Sequence, residues 1–148
     1  MVHYARLWIV VADGEHVRFL VPQPHRREVR EVSALTSPHA RERSSALGTD
    51  RPGRSFESAG TTRHAIEPRH DAHEMAKAAF LRTVAEEINR AAAEGRFDHL
   101  LVVAPGHALP MLLEPLSTQA SAMVVGRLGK DLVKVPVHDL PDHLGEWL

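Results

Sequence analysis

With 148 residues, 43% of them hydrophobic, and a formal net charge of −1, the chain has the makeup of one globular domain. It lacks the basic excess that holds a protein to nucleic acid by charge alone. The absence of cysteine excludes disulfides, thiolate metal sites and a cysteine nucleophile. No apolar run approaches the roughly 18 residues of a membrane span, and the start Met1-Val2-His3-Tyr4-Ala5-Arg6 lacks the layout of a secretion signal. The expectation is a cytoplasmic protein, a single domain over residues 1–148 with no membrane span.

Leu7-Trp8-Ile9-Val10-Val11-Ala12 is almost continuously apolar, the pattern of a central strand covered on both faces. Asp13-Gly14 is a hairpin turn signal. The second strand follows over His16 to Val21, with alternation at Val17, Phe19 and Val21. Pro22 to His25 supply the next turn. Glu28-Val29-Arg30-Glu31-Val32 is a third, more polar strand suited to a sheet edge. The first third of the chain thus predicts an antiparallel meander.

From about Thr36 to His73 the sequence turns polar, and the prediction there is a long loop. A compact domain rarely keeps such a connection unless it is functional or disordered. A helix is predicted from about His73 to Glu94, because Ala76, Phe80, Val84, Ile88 and Ala91 or Ala92 recur at three- and four-residue intervals. Asp71 is the expected N-cap, with Glu74 completing a capping-box-like pair, and Gly95 the expected C-cap. His99 to Ala104 reads as a buried parallel strand. Pro105-Gly106-His107 then turns into a helix from about Leu109 to Thr118. A last strand over Ala122 to Leu128 and a short helix near Leu140 to Leu148 complete the chain. The order predicts an α/β fold of the ribonuclease-H-like layout. Its five-stranded mixed sheet is an antiparallel meander followed by αβαβα, with helices on its faces.

A ribonuclease-H-like nuclease needs carboxylates converging on two divalent cations. Asp13 and Glu74 are available, but the fourth strand ends Val103-Ala104-Pro105-Gly106 with no acid, so that reading fails on a missing ligand. His64, His70 and His73, with Asp71 and Glu74 nearby, match no known zinc frame and cross Pro68; no metal or other cofactor is expected. Ser44, Ser45, Ser55 and Ser58 stand outside any nucleophile elbow. Pro105-Gly106-His107 lies at the carboxyl end of a strand, where ligands bind in open α/β sheets, but one glycine falls short of a phosphate-cradling loop.

The polar interval itself sets Arg41, Arg43, Arg51, Arg54, Arg63 and Arg69 against Glu42, Asp50, Glu57, Glu67 and Asp71. Arg51 and Arg54 flank Pro52-Gly53, a turn that would aim both guanidiniums outward, as bidentate phosphate contacts require. Local pairing with Asp50 and Glu57 is the structural alternative. The chain also carries 11 histidines, several of them between His64 and His73. Imidazole titrates near pH 6.5, although solvated surface histidine is the simpler reading.

Several segments in this order resemble one family: Trp8-Ile9-Val10-Val11-Ala12-Asp13-Gly14, Asp50-Arg51-Pro52-Gly53-Arg54, Arg63-His64-Ala65, Phe97-Asp98-His99-Leu100 through Ala104-Pro105, and Lys130-Asp131-Leu132. Together they resemble the bacterial host attachment proteins over nearly the whole chain. That family is similar to the middle domain of archaeo-eukaryotic class 1 peptide-chain release factors, which implies a ribonuclease-H-like fold and a ribosomal connection. In those factors a Gly-Gly-Gln loop enters the peptidyl-transferase centre. The corresponding interval here has Gly48, Gly53 and Gly60, and the chain's only glutamines are Gln23 and Gln119. The resemblance therefore brings no residues for peptidyl-tRNA hydrolysis.

The expectation is a non-enzymatic protein that binds RNA or the ribosome, or else a protein partner or a second copy of itself. Its contact residues would be Arg51, Pro52, Gly53, Arg54, Arg63 and His64, with Phe56 anchoring the loop or stacking on a base. The alternative is a hydrolase or nucleotide-binding enzyme whose site lies between the long loop and the Pro105-Gly106-His107 turn. That reading requires Asp50, His64 and His107 to converge. A protein-interaction reading places apolar surface on the third strand or the last helix, with Trp147 and Leu148 at an interface.

Overall fold

Strand β1 (Leu7–Ala12) is the middle of the molecule. Its alternate side chains feed two separate cores: Leu7, Ile9 and Val11 join one buried cluster, while Val10 and Ala12, with Trp8 beside them, join the other. A strand covered on both sides needs no polar alternation, which explains its continuous apolar run. The computed structural model describes residues 4–23, 25–42 and 62–148, giving the backbone alone over 62–70.

The sheet order is β3-β2-β1-β4-β5, the expected ribonuclease-H-like α/β arrangement. β2 (His16–Gln23) and β3 (Glu28–Thr36) run antiparallel beside β1, with an irregularity in their register between Phe19 and Leu20. On the other side, β4 (His99–Val103) pairs parallel with β1, and β5 (Val124–Leu128) pairs parallel with β4. The polar third strand is at the edge, as its composition predicts, and leaves Val32 and Leu35 exposed there.

Helix α1 spans Thr62–Ala93 and covers one face with Phe80, Leu81, Val84, Ala85, Ile88, Ala91 and Ala92. It begins well before the predicted start near His73, which rested on Asp71 as the N-cap, and it runs through Pro68. Asp71 and Glu74 are consequently interior helical residues and not an N-terminal cap. The carboxyl end follows expectation. Gly95 takes φ +67°, and bonds from Gly95 N to Ala92 O and from Arg96 N to Ala91 O close a Schellman turn.

The single helix expected over Leu109 to Thr118 is two, α2 (Leu109–Leu113) and α3 (Thr118–Ala122). Pro115 interrupts them, because it has no N–H to donate and its ring clashes with the preceding turn. Ser117 restarts the helix, its side chain accepting from Ala120 N at 3.0 Å. Asn89 of α1 bridges the break, donating to Pro115 O and accepting from Ser117 N. The last strand starts at Val124, later than expected, because α3 takes Ala122.

The opposite face is covered by the chain's end: a 3-10 turn Val137–Asp139, α4 (Leu140–Leu144) and a 3-10 turn Gly145–Trp147. Leu132, Val133, Leu140 and Leu144 pack there beneath Ile9, Leu20 and Leu101. Trp147 lies over the sheet, half-buried, where a Cβ on Gly126 would overlap its ring. No helix among the described residues is long and apolar enough to cross a membrane.

Candidate functional site at the carboxyl end of the sheet

The polar interval leaves the body at the end of β3, which is the same end of the sheet as the carboxyl ends of β1, β4 and β5. Its first residues are ordered by local chemistry. Ser37 caps a helical stretch over 38–42, its hydroxyl accepting from Ala40 N at 3.0 Å, and Pro38 supplies the first helical position. Ser37 N donates to Glu15 O at 2.7 Å, so this helical stretch is pinned to the β1–β2 turn. Ser37 is 2% exposed, which makes its hydroxyl a structural cap and not a nucleophile.

The β1–β2 turn is itself braced. The Asp13 carboxylate accepts from Glu15 N at 2.8 Å and His16 N at 2.7 Å, the bonding of an Asx turn. The acid that a metal-dependent nuclease would need at the end of β1 is thus committed to backbone donors. Gly14 is required by a neighbour: a Cβ there would come within 2.7 Å of Lys77 Cγ. The Lys77 stem lies across the turn, and its ammonium pairs with Glu74 at 3.7 Å.

Three side chains converge where 37–42 meets α1. His39 Nε2 and His73 Nδ1 are 3.0 Å apart, with the rings edge to face. The other nitrogen of His73 faces Glu15 Oε1 at 3.6 Å. Only one of the two facing nitrogens can carry the proton, so at least one ring accepts as a neutral imidazole. One consistent arrangement has His39 donating to His73, whose Nε2–H then points at the carboxylate. Beside them a cavity of about 440 Å³ is lined by Leu35, Pro38, Ala76 and Phe80 among others.

This cluster is not the one expected from sequence. Arg51, Pro52, Gly53 and Arg54, together with Asp50 and Phe56, lie outside the described residues. Arg63 and His64 fall in the opening turns of α1, where the backbone alone is described. Of the expected histidine–acid group, His73 is engaged by His39 and Glu15, and Glu74 by Lys77. Among the described residues no group of three His, Asp or Glu side chains is arranged to hold a metal. His107 is exposed beyond β4, and its turn is closed by Ala108 N and Leu109 N donating to Pro105 O.

The residues missed from sequence are Glu15, Ser37 and His39. Ser37-Pro38 was a legible helix-start signature. The pairing of His39 with His73 was not legible, since it depends on where α1 crosses the sheet. Chemically the cluster can share one proton and fix the foot of the polar segment against α1. The long helix is buried from Phe80 to Ala92, whereas none of Asp71 to Ala79 is buried. The stretch from Asp71 to Ala79 is thus not built into the core.

Comparison with known proteins gives a family and distant structural likenesses. A comparison with curated proteins gives no match. Among solved structures, the chain is similar to one described as "Crystal structure of archaeal translation termination factor, aRF1", at 12% sequence identity and a TM-score of 0.49. The alignment covers 95% of this chain and 38% of that one, so the chain spans well under half the length of that factor. The model of the family "Protein required for attachment to host cells" matches residues 8–144, from the second residue of β1 to the end of α4, and the chain belongs to that family.

Proposed function

We propose that the chain is a non-enzymatic binding protein that meets RNA, on the ribosome, through its Arg/His-rich polar segment. Arg51 and Arg54 are the phosphate contacts in this reading, Pro52-Gly53 is the turn that aims them, and Arg63 and His64 add contacts from the start of α1. The observation that carries it is the division of α1. Phe80 to Ala92 anchor the helix in the core, whereas no residue from Asp71 to Ala79 is buried. A firmly held base thus carries a stretch, Asp71 to Ala79, that is free of core duties, and guanidiniums suit bidentate phosphate recognition. The His39–His73 contact at 3.0 Å supports the same reading by fixing the foot of the segment.

The test is a pull-down from cell extract with wild type and Arg51→Ala/Arg54→Ala, scored for ribosomal RNA and ribosomal proteins, with salt titration of direct RNA binding. The expected result is recovery of ribosomal RNA by wild type alone. Removing two phosphate contacts should flatten the log–log salt dependence by roughly 1.5 units. Equal recovery and equal slopes would reject the arginine pair. Retention of a single protein without RNA would favour a protein partner instead.

A further inference from the structure

At the end of the sheet opposite the polar segment lies a cavity of about 700 Å³, within the range of small-molecule sites. It sits below the amino-terminal end of β1 and the carboxyl end of β2. We propose that it binds a nucleoside phosphate, with the base against an aromatic wall and the phosphate on Arg27. This does not depend on the RNA-binding reading, which concerns the other end of the molecule.

The wall is made of Tyr4 and Trp147 on one side of the sheet, and Trp8 lines the cavity from the other side. Tyr4 and Trp147 are stacked, with centroids 6.0 Å apart and 28° between planes. Trp8 is held by Phe97 and Phe19, at 5.0 and 5.8 Å. The rings are thus fixed by packing while still lining open space, as a stacking platform for a flat ring requires.

Three guanidiniums line the same cavity, those of Arg6, Arg27 and Arg96. Two already have carboxylate partners: Arg6 with Asp98 at 3.3 Å and Arg96 with Glu94 at 3.9 Å. Arg96 also lies 5.2 Å over the Trp8 ring, which leaves it a wall residue more than a free cation. Arg27 is paired with no carboxylate among the described residues. Its guanidinium lies against Gly145, 3.1 Å from where a Cβ would stand. It is the cation left for a ligand, and its planar fork suits phosphate oxygens.

The backbone points to the same place. Among the described residues, the non-glycine positions with positive φ are Arg6 (+50°), His25 (+67°) and Arg27 (+53°), and all three line this cavity. Left-handed backbone is costly for L-residues with bulky side chains, and such strain concentrates at ligand sites. A turn chosen only to join β2 to β3 would place glycine or asparagine at such positions. Here the strained positions carry two of the cavity's guanidiniums and an imidazole. An inorganic anion would leave the aromatic wall unused, and a neutral aromatic would leave Arg27 unused. A nucleoside phosphate uses both.

The chain's two tryptophans both line the cavity, so intrinsic fluorescence reports on it directly. The experiment titrates full-length protein with AMP, GMP, CMP and UMP, and separately with adenosine and inorganic phosphate, exciting at the red edge of the tryptophan band. Saturable quenching is expected with at least one nucleotide, and weaker binding with adenosine or phosphate alone. Arg27→Ala, at an exposed position, should weaken the nucleotide about tenfold and leave circular dichroism and Tm unchanged. Absence of a saturable response, unchanged affinity in Arg27→Ala, or phosphate binding as well as the nucleotides would each overturn the proposal.

Discussion

His39, on the chain just leaving β3, and His73, on α1, meet nitrogen to nitrogen at 3.0 Å, and their bond spans the base of the polar segment. The contact joins an element that the sheet fixes, through Ser37 N to Glu15 O at 2.7 Å, to a part of α1 that the core does not hold. A hydrogen bond in that position sets geometry that packing leaves loose.

A double-mutant cycle measures the coupling. His39→Ala, His73→Ala and the double variant should give an interaction energy of about 0.5–1.5 kcal/mol in denaturant unfolding, the net worth of one partly buried hydrogen bond. Amide exchange at 37–42 should quicken in each single variant, with β1 and β4 unaffected. Additive losses would mean that the two rings merely neighbour each other. The cycle is needed because His73 also faces Glu15 at 3.6 Å, so His73→Ala removes more than one contact.

Gly14 offers a steric test of how α1 sits on the β1–β2 turn. A methyl at this position would press on Lys77 Cγ and Cδ, at 2.7 and 2.9 Å. These atoms are near the root of the side chain and cannot swing away freely. Gly14→Ala should cost about 1–3 kcal/mol, and Lys77→Ala should restore most of that in the double variant. A loss that Lys77→Ala leaves in place would put the requirement in the turn's backbone and not in the helix contact.

The sheet was legible because its signals are local and doubled. The unbroken apolar run of β1 required a central position, and the charges of β3 required an edge. The helix end was equally legible, since Gly95 is the residue that a left-handed cap at φ +67° demands. The start of α1 was hidden because Asp71 and Glu74 read as a cap and the polar residues before them as loop. Nothing local shows that a helix anchored from Phe80 to Ala92 continues backward to Thr62. The split between α2 and α3 was encoded in Pro115 and Ser117, which a single helix over Leu109 to Thr118 passes over. The His39–His73–Glu15 cluster joins residues from three elements, so only the fold brings them together. The aromatic and arginine residues of the opposite cavity are scattered in the same way, from Tyr4 to Trp147.

Arg18 carries the last prediction, because it ties β2 to the chain that covers the second face. Its guanidinium donates to Val133 O at 3.1 Å and Val135 O at 2.6 Å, and its Nε meets Glu31 Oε1 at 2.6 Å. The Arg18 side chain is only 12% exposed, against 34% for Glu31, so the two partners should not be equivalent. Arg18→Met keeps the stem but strips the donors from two carbonyls and the charge from Glu31. It should cost about 3 kcal/mol and loosen Leu132, Val133 and the packing around Trp147, read as a red shift of tryptophan emission at low denaturant. Glu31→Gln leaves both carbonyl bonds in place and removes only a partly exposed ion pair, which should cost under about 1 kcal/mol. If the two substitutions cost the same, the ion pair holds the segment and the carbonyl bonds contribute little. If Arg18→Met costs several times more, the backbone bonds are what fasten the carboxyl-terminal cover to the sheet.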